Sequence, residues 1–209
     1  MEVSVSFLSS NNPAKDLKLL NDTDCDFIHV DIMDGKFVKN KTMPFREMKK
    51  ISKFTSKRLD VHLMVSKPLN YIKKYARLNT DSITIHVEID EDINKLIQTI
   101  KSYSIKAGLA IKPNTNVRDL IPYLPYINMI LVMSVEPGEG GQSFIEGTEN
   151  KIKEIRELLK SYNLNDIIIS VDGGVNAETI DKCRLCDRVV SGSYILSSNN
   201  FSERIDSLR

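Results

Sequence analysis

The stretch Phe27-Ile28-His29-Val30-Asp31-Ile32-Met33-Asp34-Gly35 constrains the chain more than any other. Side chains of a β-strand alternate between two faces, so this stretch carries His29, Asp31 and Met33 on one side and Ile28, Val30 and Ile32 on the other. A strand that is aliphatic on one face and carries His-x-Asp on the other suits a closed barrel. The aliphatic face packs on outer helices, and the polar face looks inward toward a site at the strand's end. The pattern returns downstream. Asp60-Val61-His62-Leu63-Met64-Val65 sets Asp60, His62 and Met64 against Val61, Leu63 and Val65, and Ser170-Val171-Asp172-Gly173-Gly174 ends a third apolar run with a carboxylate. Two histidines and two aspartates at strand ends suffice to hold a divalent metal.

The rest of the chain alternates between the two periods. Strands are predicted over 3–8, 27–35, 58–65, 82–87, 106–111, 128–135, 166–172 and 187–190. Helices are predicted over 13–20, 44–54, 68–77, 92–103, briefly near 117–121, around Ile152, Ile155, Leu158 and Leu159, and over 176–183 and 201–208. Residues 36–42 lack periodicity and read as a loop over the barrel mouth. With no break in composition, the prediction is α/β: one (β/α)8 TIM barrel spanning residues 1–209 as a single domain, near the lower length limit for eight such units.

Composition narrows the function classes. The 29 Lys and Arg nearly balance the 28 Asp and Glu, so bulk charge points to neither nucleic acid nor a membrane surface as a partner. The longest apolar-rich run, 120–135, is interrupted by Pro122 and Pro125 and does not read as a membrane span. Residues 1–6 lack a basic region followed by a long apolar one, so no signal peptide is read there. Three cysteines, an odd number, fit a reducing compartment, and the expected location is cytoplasmic. Cys183-x-x-Cys186 is a lone CxxC, short of the four ligands a structural zinc needs.

In order along the chain, Ser6-Phe-Leu-Ser9, His29-Val-Asp-Ile-Met-Asp-Gly35, Asp60-Val-His-Leu-Met64, Met133-Ser-Val-Glu-Pro-Gly-Glu-Gly-Gly-Gln142, Val171-Asp-Gly-Gly174 and Ser191-Gly-Ser193 together resemble the ribulose-phosphate 3-epimerase family. The resemblance covers essentially the whole chain. It implies that His29, Asp31, His62 and Asp172 bind one divalent metal ion, zinc, iron, manganese or cobalt. It also implies that Asp31 and Asp172 are the acid–base pair, that Ser6 and His62 contact substrate, and that Met33, Met64 and Met133 surround the reacting carbon. The implied partner is a phosphorylated ketose, and a homo-oligomer is expected. Two features depart from the family pattern: Glu139 stands where the family has Phe, and residues 36–41 are more basic than the usual loop.

The chemistry can be reasoned beside the resemblance. Epimerisation next to a ketone removes a weakly acidic C3 proton and returns one to the other face, which two carboxylates on opposite sides can do. A phosphate needs no lysine. Gly138, Gly140 and Gly141, flanking Glu139, allow backbone N–H groups close to an anion, and Gly173-Gly174 and Gly192-Ser193 precede expected helices. These clusters follow strands six, seven and eight, where barrels commonly bind phosphate. His86 reads as a hydrogen-bonded core residue, Asp34 as a turn residue and Asp60 as a buried hydrogen-bond partner. Two other functions are compatible: 3-epimerisation of a six-carbon ketose phosphate such as allulose 6-phosphate, and a non-catalytic phosphosugar-binding barrel. Related barrel decarboxylases carry Lys where this chain has Met33, which disfavours them.

Overall fold

A computed structural model describes residues 1–209. Eight parallel strands close into a barrel in chain order: β1 (Glu2–Ser6), β2 (Phe27–Met33), β3 (Arg58–Met64), β4 (Thr80–His86), β5 (Lys106–Ile111), β6 (Met129–Met133), β7 (Ile168–Asp172) and β8 (Arg188–Ser191). Around them lie α1 (Pro13–Leu20), α2 (Phe45–Ile51), α3 (Leu69–Tyr75), α4 (Ile93–Lys101), α5 (Thr148–Ser161), α6 (Ser193–Leu196) and α7 (Phe201–Asp206). Local chemistry explains the ends of several. Asn12 accepts from the Lys15 N–H and Pro13 opens α1, while Asp92 accepts from the Lys95 N–H and starts α4. No helix is long and apolar enough to cross a membrane.

Alternation along each strand sorts the barrel into two compartments. Val3, Val5, Ile28, Val30, Val61, Leu63, Ile83 and Ile85 face outward into a continuous apolar layer with Leu17, Ile72, Ile97, Ile155 and Ile205 of the helices. Ser4, Ser6, His29, Asp31, Asp60, His62, Thr84, His86 and Arg188 are buried polar groups, and beside them Ala110, Leu131, Met133, Val135 and Val190 form a separate small apolar cluster. The polar interior is therefore continuous with the barrel mouth, whereas the aliphatic layer seals the outside.

At the opposite end Arg188 plugs the interior. Its guanidinium is fully buried, lies 2.8 Å from Glu2 Oε2, 3.5 Å from Asp60 Oδ1 and 3.7 Å from Asp81 Oδ2, and rests 3.9 Å from the centre of the Phe27 ring. Removing one member of a buried charge cluster leaves its partners uncompensated. Arg188→Met is thus expected to lower the unfolding free energy by about 3 kcal/mol, read as a lower midpoint in urea at unchanged slope. An unchanged midpoint would mean that Asp60 and Asp81 do not depend on this cation.

The predicted elements differ from the observed ones in instructive places. The helix expected over 176–183 is a single 3₁₀ turn, Ile180–Cys183. Asn176 Oδ1 takes the N–H groups of Glu178 and Thr179, and Thr179 Oγ1 takes that of Asn176, which caps a helix start. The segment nevertheless tightens into 3₁₀ bonding, Lys182 N–H to the Thr179 carbonyl, and ends at Cys183. Residues 117–126 form a longer 3₁₀ segment than the short helix expected, with Pro122 and Pro125 inside it. β1 stops at Ser6 rather than residue 8, where the Ser10 N–H bonds back to the Phe7 carbonyl in a turn. β4 starts two residues earlier than expected, at Thr80. Cys183 and Cys186 are free and buried, and burial pushes the Cys183 thiol up to about 12.

Candidate active site

The parallel register turns alternation into layers. Across β2 and β3, His29 pairs with Asp60, Asp31 with His62, and Met33 with Met64; Ser6 of β1 pairs with His29, and Met133 of β6 with Asp172 of β7. Toward the mouth the pairs run from His29 beside Asp60, through Asp31 beside His62, to the thioethers of Met33 and Met64. Asp172 comes from β7, three places round the ring from β2.

One donor atom each from His29, Asp31, His62 and Asp172 lies within 4.8 Å of the other three. Asp31 Oδ1 is 3.4 Å from His29 Nε2 and 3.2 Å from His62 Nδ1, and Asp172 Oδ2 is 3.6 Å from each of these nitrogens. The other edge of Asp31 and of each histidine is fixed. Ser6 Oγ donates to Asp31 Oδ2 at 2.9 Å, and Asp60 Oδ2 lies 3.1 Å from His29 Nδ1. Asp60 is itself held by the hydroxyls of Ser4 and Ser82, the buried role expected of it. His62 turns its Nε2 to His86 Nε2 at 2.9 Å, and His86 Nδ1 lies 2.9 Å from Glu88 Oε2.

The donor set fits a cation on two counts. His29 Nε2 is buried with no hydrogen-bond partner, and it points at the gap between the two carboxylates. A buried ring nitrogen left unpaired is costly unless something else takes its lone pair. The charges agree. Burial alone would lower the pKa of His29, but Asp31, Asp172 and Asp60 overcome it and hold it well above the ordinary imidazole value. Burial likewise pushes Asp31 and Asp172 up, yet the two histidines hold both carboxyls below their ordinary value. Two carboxylates this close demand positive charge, and a divalent ion on neutral imidazoles meets that demand as well as protons do.

Farther out, burial pushes His86 down to about 4 despite the pull of Glu88. Burial raises Glu88, but His86, Thr115 and the Lys112 N–H outweigh it and hold the carboxyl at about 2. His86 is a hydrogen-bonded core residue, as its sequence context suggests. Glu88, two residues on, escaped the sequence reading because it lies past the strand end, where alternation no longer assigns a face.

Above the donors lies a cavity of about 570 Å³. Ser6, Asp31, Asp172, all three methionines, residues 138–141, Gly173, Gly174, Gly192 and Ser193 line it. His62 is fully buried and lines neither this cavity nor the adjoining one of about 440 Å³, which His29, Asp31 and Met33 reach. The glycine clusters are brought together, but helix termini do not follow them as expected. The 173–174 pair precedes no α-helix, and Gly192 opens a helix of only four residues. Tight backbone geometry replaces the expected helices. Gly174 has φ +63°, and a Cβ there would lie 2.3 Å from the Phe144 backbone nitrogen, so only glycine fits. Glu139 is exposed at the rim.

The loop over 36–42 covers one side. Asp34 opens it as the turn residue expected, accepting the N–H groups of Lys36 and Phe37. The Phe37 ring packs 4.7 Å from that of His86, and Asn40 Nδ2 donates to the Gly138 carbonyl at 2.9 Å.

Comparison with known proteins agrees with this geometry. The sequence model described as "Ribulose-phosphate 3 epimerase family" matches residues 2–196. The chain belongs to the ribulose-phosphate 3-epimerase family. It is accordingly an enzyme, an isomerase acting on a carbohydrate. It is 36% identical to the ribulose-phosphate 3-epimerase of Helicobacter pylori (strain J99), over all of this chain and 97% of that one. It is 37% identical to that of Chlamydia pneumoniae, over 88% of this chain and 82% of the relative. With the Bacillus subtilis enzyme of the same name the figures are 34%, 99% and 95%. Solved structures extend the likeness of fold beyond the ribulose-phosphate 3-epimerase family. KGPDC from Streptococcus mutans superposes with TM-score 0.70 at 13% identity, covering 99% of this chain and 94% of that one. N-(5'-phosphoribosyl)anthranilate isomerase from Pyrococcus furiosus gives 0.64 at 13% identity, over 100% and 96%.

Proposed function

We propose that this epimerase interconverts D-ribulose 5-phosphate and D-xylulose 5-phosphate by two-base proton transfer at C3, as one ribulose-phosphate-binding barrel domain over residues 1–209. One divalent ion would be held by His29, Asp31, His62 and Asp172. The unpaired, buried His29 Nε2 facing both carboxylates carries this reading. A divalent ion there supplies a Lewis acid that stabilises negative charge on the C2 and C3 oxygens of the substrate.

The chain's own residues then divide the work. Asp31 and Asp172 reach the cavity from strands three places apart, so a substrate lying between them would offer one face of C3 to each. Asp31 as carboxylate takes the C3 proton, and Asp172 as carboxylic acid gives one to the opposite face. After turnover Asp31 carries the proton and Asp172 is ionised, which is the starting state for the reverse reaction. Ser6 keeps Asp31 oriented through its Oδ2. Met33, Met64 and Met133 line the cavity with apolar surface that keeps water from the reacting carbon. Backbone N–H groups over 138–141, 173–174 and 192–193 take the phosphate.

A coupled assay on ribulose 5-phosphate, before and after chelation, tests the whole reading. Activity that disappears with the chelator and returns with added zinc, iron, manganese or cobalt supports it, and full activity after complete metal removal overturns it. Allulose 6-phosphate assayed beside it decides between pentulose and hexulose.

The phosphate assignment has its own test. Gly140 lines both cavities, and a Cβ there would lie 2.5 Å from Ser9 Oγ, so a branched side chain must displace that hydroxyl or the loop. Gly140→Val is expected to raise KM by about tenfold or more, the worth of one hydrogen bond to a charged group, with metal content normal. An unchanged KM would place the phosphate elsewhere.

A further inference from the structure

We propose that Glu88, acting through His86, is a positioning residue for His62, fixing the imidazole with its proton on Nε2 and the lone pair of Nδ1 aimed between Asp31 and Asp172. The inference rests on the reading of those side chains as metal donors. It follows from counting protons along one chain of contacts. Glu88 Oε2 and His86 Nδ1 are 2.9 Å apart. An ionised carboxylate only accepts, so the proton between them sits on His86 Nδ1. Two ring nitrogens 2.9 Å apart hold one proton between them, and His86, whose proton already lies on Nδ1, is the acceptor of the pair. His62 Nε2, 2.9 Å away, must then be the donor. Its remaining nitrogen, Nδ1, faces Asp31 Oδ1 at 3.2 Å and Asp172 Oδ2 at 3.6 Å with the bare lone pair that coordination requires.

The far end of the chain is anchored. Glu88 Oε1 accepts from the Lys112 N–H at 2.7 Å and from the Thr115 hydroxyl, leaving Oε2 to His86. Phe37 covers the His86 ring, which is itself fully buried. The two histidine donors are thus backed alike by a carboxylate, His29 directly by Asp60 at 3.1 Å and His62 at one histidine's remove.

The test is zinc affinity of the full chain, measured by competition with a chromophoric chelator and accompanied by the absorption spectrum of the cobalt form. Glu88→Gln and His86→Leu are expected to bind zinc about 10- to 100-fold more weakly than wild type and to change the cobalt spectrum, as loss of an orienting partner does. His86→Gln, whose amide oxygen can still accept from His62 Nε2–H, should recover most of the affinity, which a merely space-filling role would not give. Wild-type affinity in folded Glu88→Gln and His86→Leu overturns the proposal. Should those variants fail to fold, nitrogen-15 spectra of the zinc-loaded wild type decide it: a proton on His86 Nδ1 and none on its Nε2 supports the relay, and the reverse overturns it. Wild-type protein that takes up no zinc, iron, manganese or cobalt would instead refute the metal reading underneath.

Discussion

His62→Ala is expected to lose bound metal and epimerase activity together. The side chain is fully buried, and it faces Asp31 on one edge and meets His86 on the other. Truncating it removes one of four donors and leaves a void between the two carboxylates. Their mutual repulsion then has one imidazole fewer to offset it. The fall in metal affinity should exceed the roughly 10- to 100-fold that follows loss of an outer hydrogen-bond partner, because a ligand itself is gone. Elemental analysis of the purified variant, alongside circular dichroism to establish folding, makes the comparison. Stoichiometric metal in folded His62→Ala would count against the ligand assignment, and full activity in a metal-free sample would count against metal dependence.

Asp172→Asn separates proton removal from inversion. Asn keeps an oxygen that can face the ion, but it neither gives nor takes a proton usefully. Inversion should therefore fall by about 10²- to 10⁴-fold, the usual worth of a positioned acid or base. Asp31 is anchored independently, by the Ser6 hydroxyl on Oδ2, so its geometry does not depend on the Asp172 charge. It should still strip the C3 proton of ribulose 5-phosphate and return one to the same face. In deuterated water the substrate then exchanges its C3 hydrogen without becoming xylulose 5-phosphate. Metal content must be measured on the same sample, since Asp172 is also a proposed donor. With metal present, inversion near the wild-type rate would sink the assignment of Asp172 as a base.

Much of this arrangement was legible in the sequence because barrels obey a period of two. Once His29 was placed inward, Asp31 and Met33 followed, and the same count on β3 placed His62 and Met64. What period alone does not give is register. That Asp31 sits beside His62, and His29 beside Asp60, depends on how far β3 slides along β2, which no local pattern encodes. The Glu88 relay lay beyond reach for a related reason: its partners Lys112 and Thr115 follow β5, and only closure of the sheet brings them to the end of β4. The misjudged helix over 176–183 fails differently. Its composition permits a helix, and Asn176 and Thr179 cap its start, but the segment tightens into a 3₁₀ turn that ends at Cys183. The glycine clusters meet at one cavity as grouped, whereas the helices meant to follow them do not form, since the positive φ of Gly173 and Gly174 turns the chain back before one can start.

Closure of the ring by β1 against β8 also bears on how the site comes into being. The Glu2 N–H reaches the Asp187 carbonyl, and the Arg188 guanidinium reaches back to Glu2, so the first strand is secured by the last. Three of the proposed donors leave the ribosome within the first 62 residues, whereas Asp172 follows more than 100 residues later. A nascent chain therefore carries only three of the four donors through most of its synthesis, with one side open until Asp172 arrives. Tight retention of the proposed ion would then be a property of the finished ring, acquired when the C-terminal strands dock on the first.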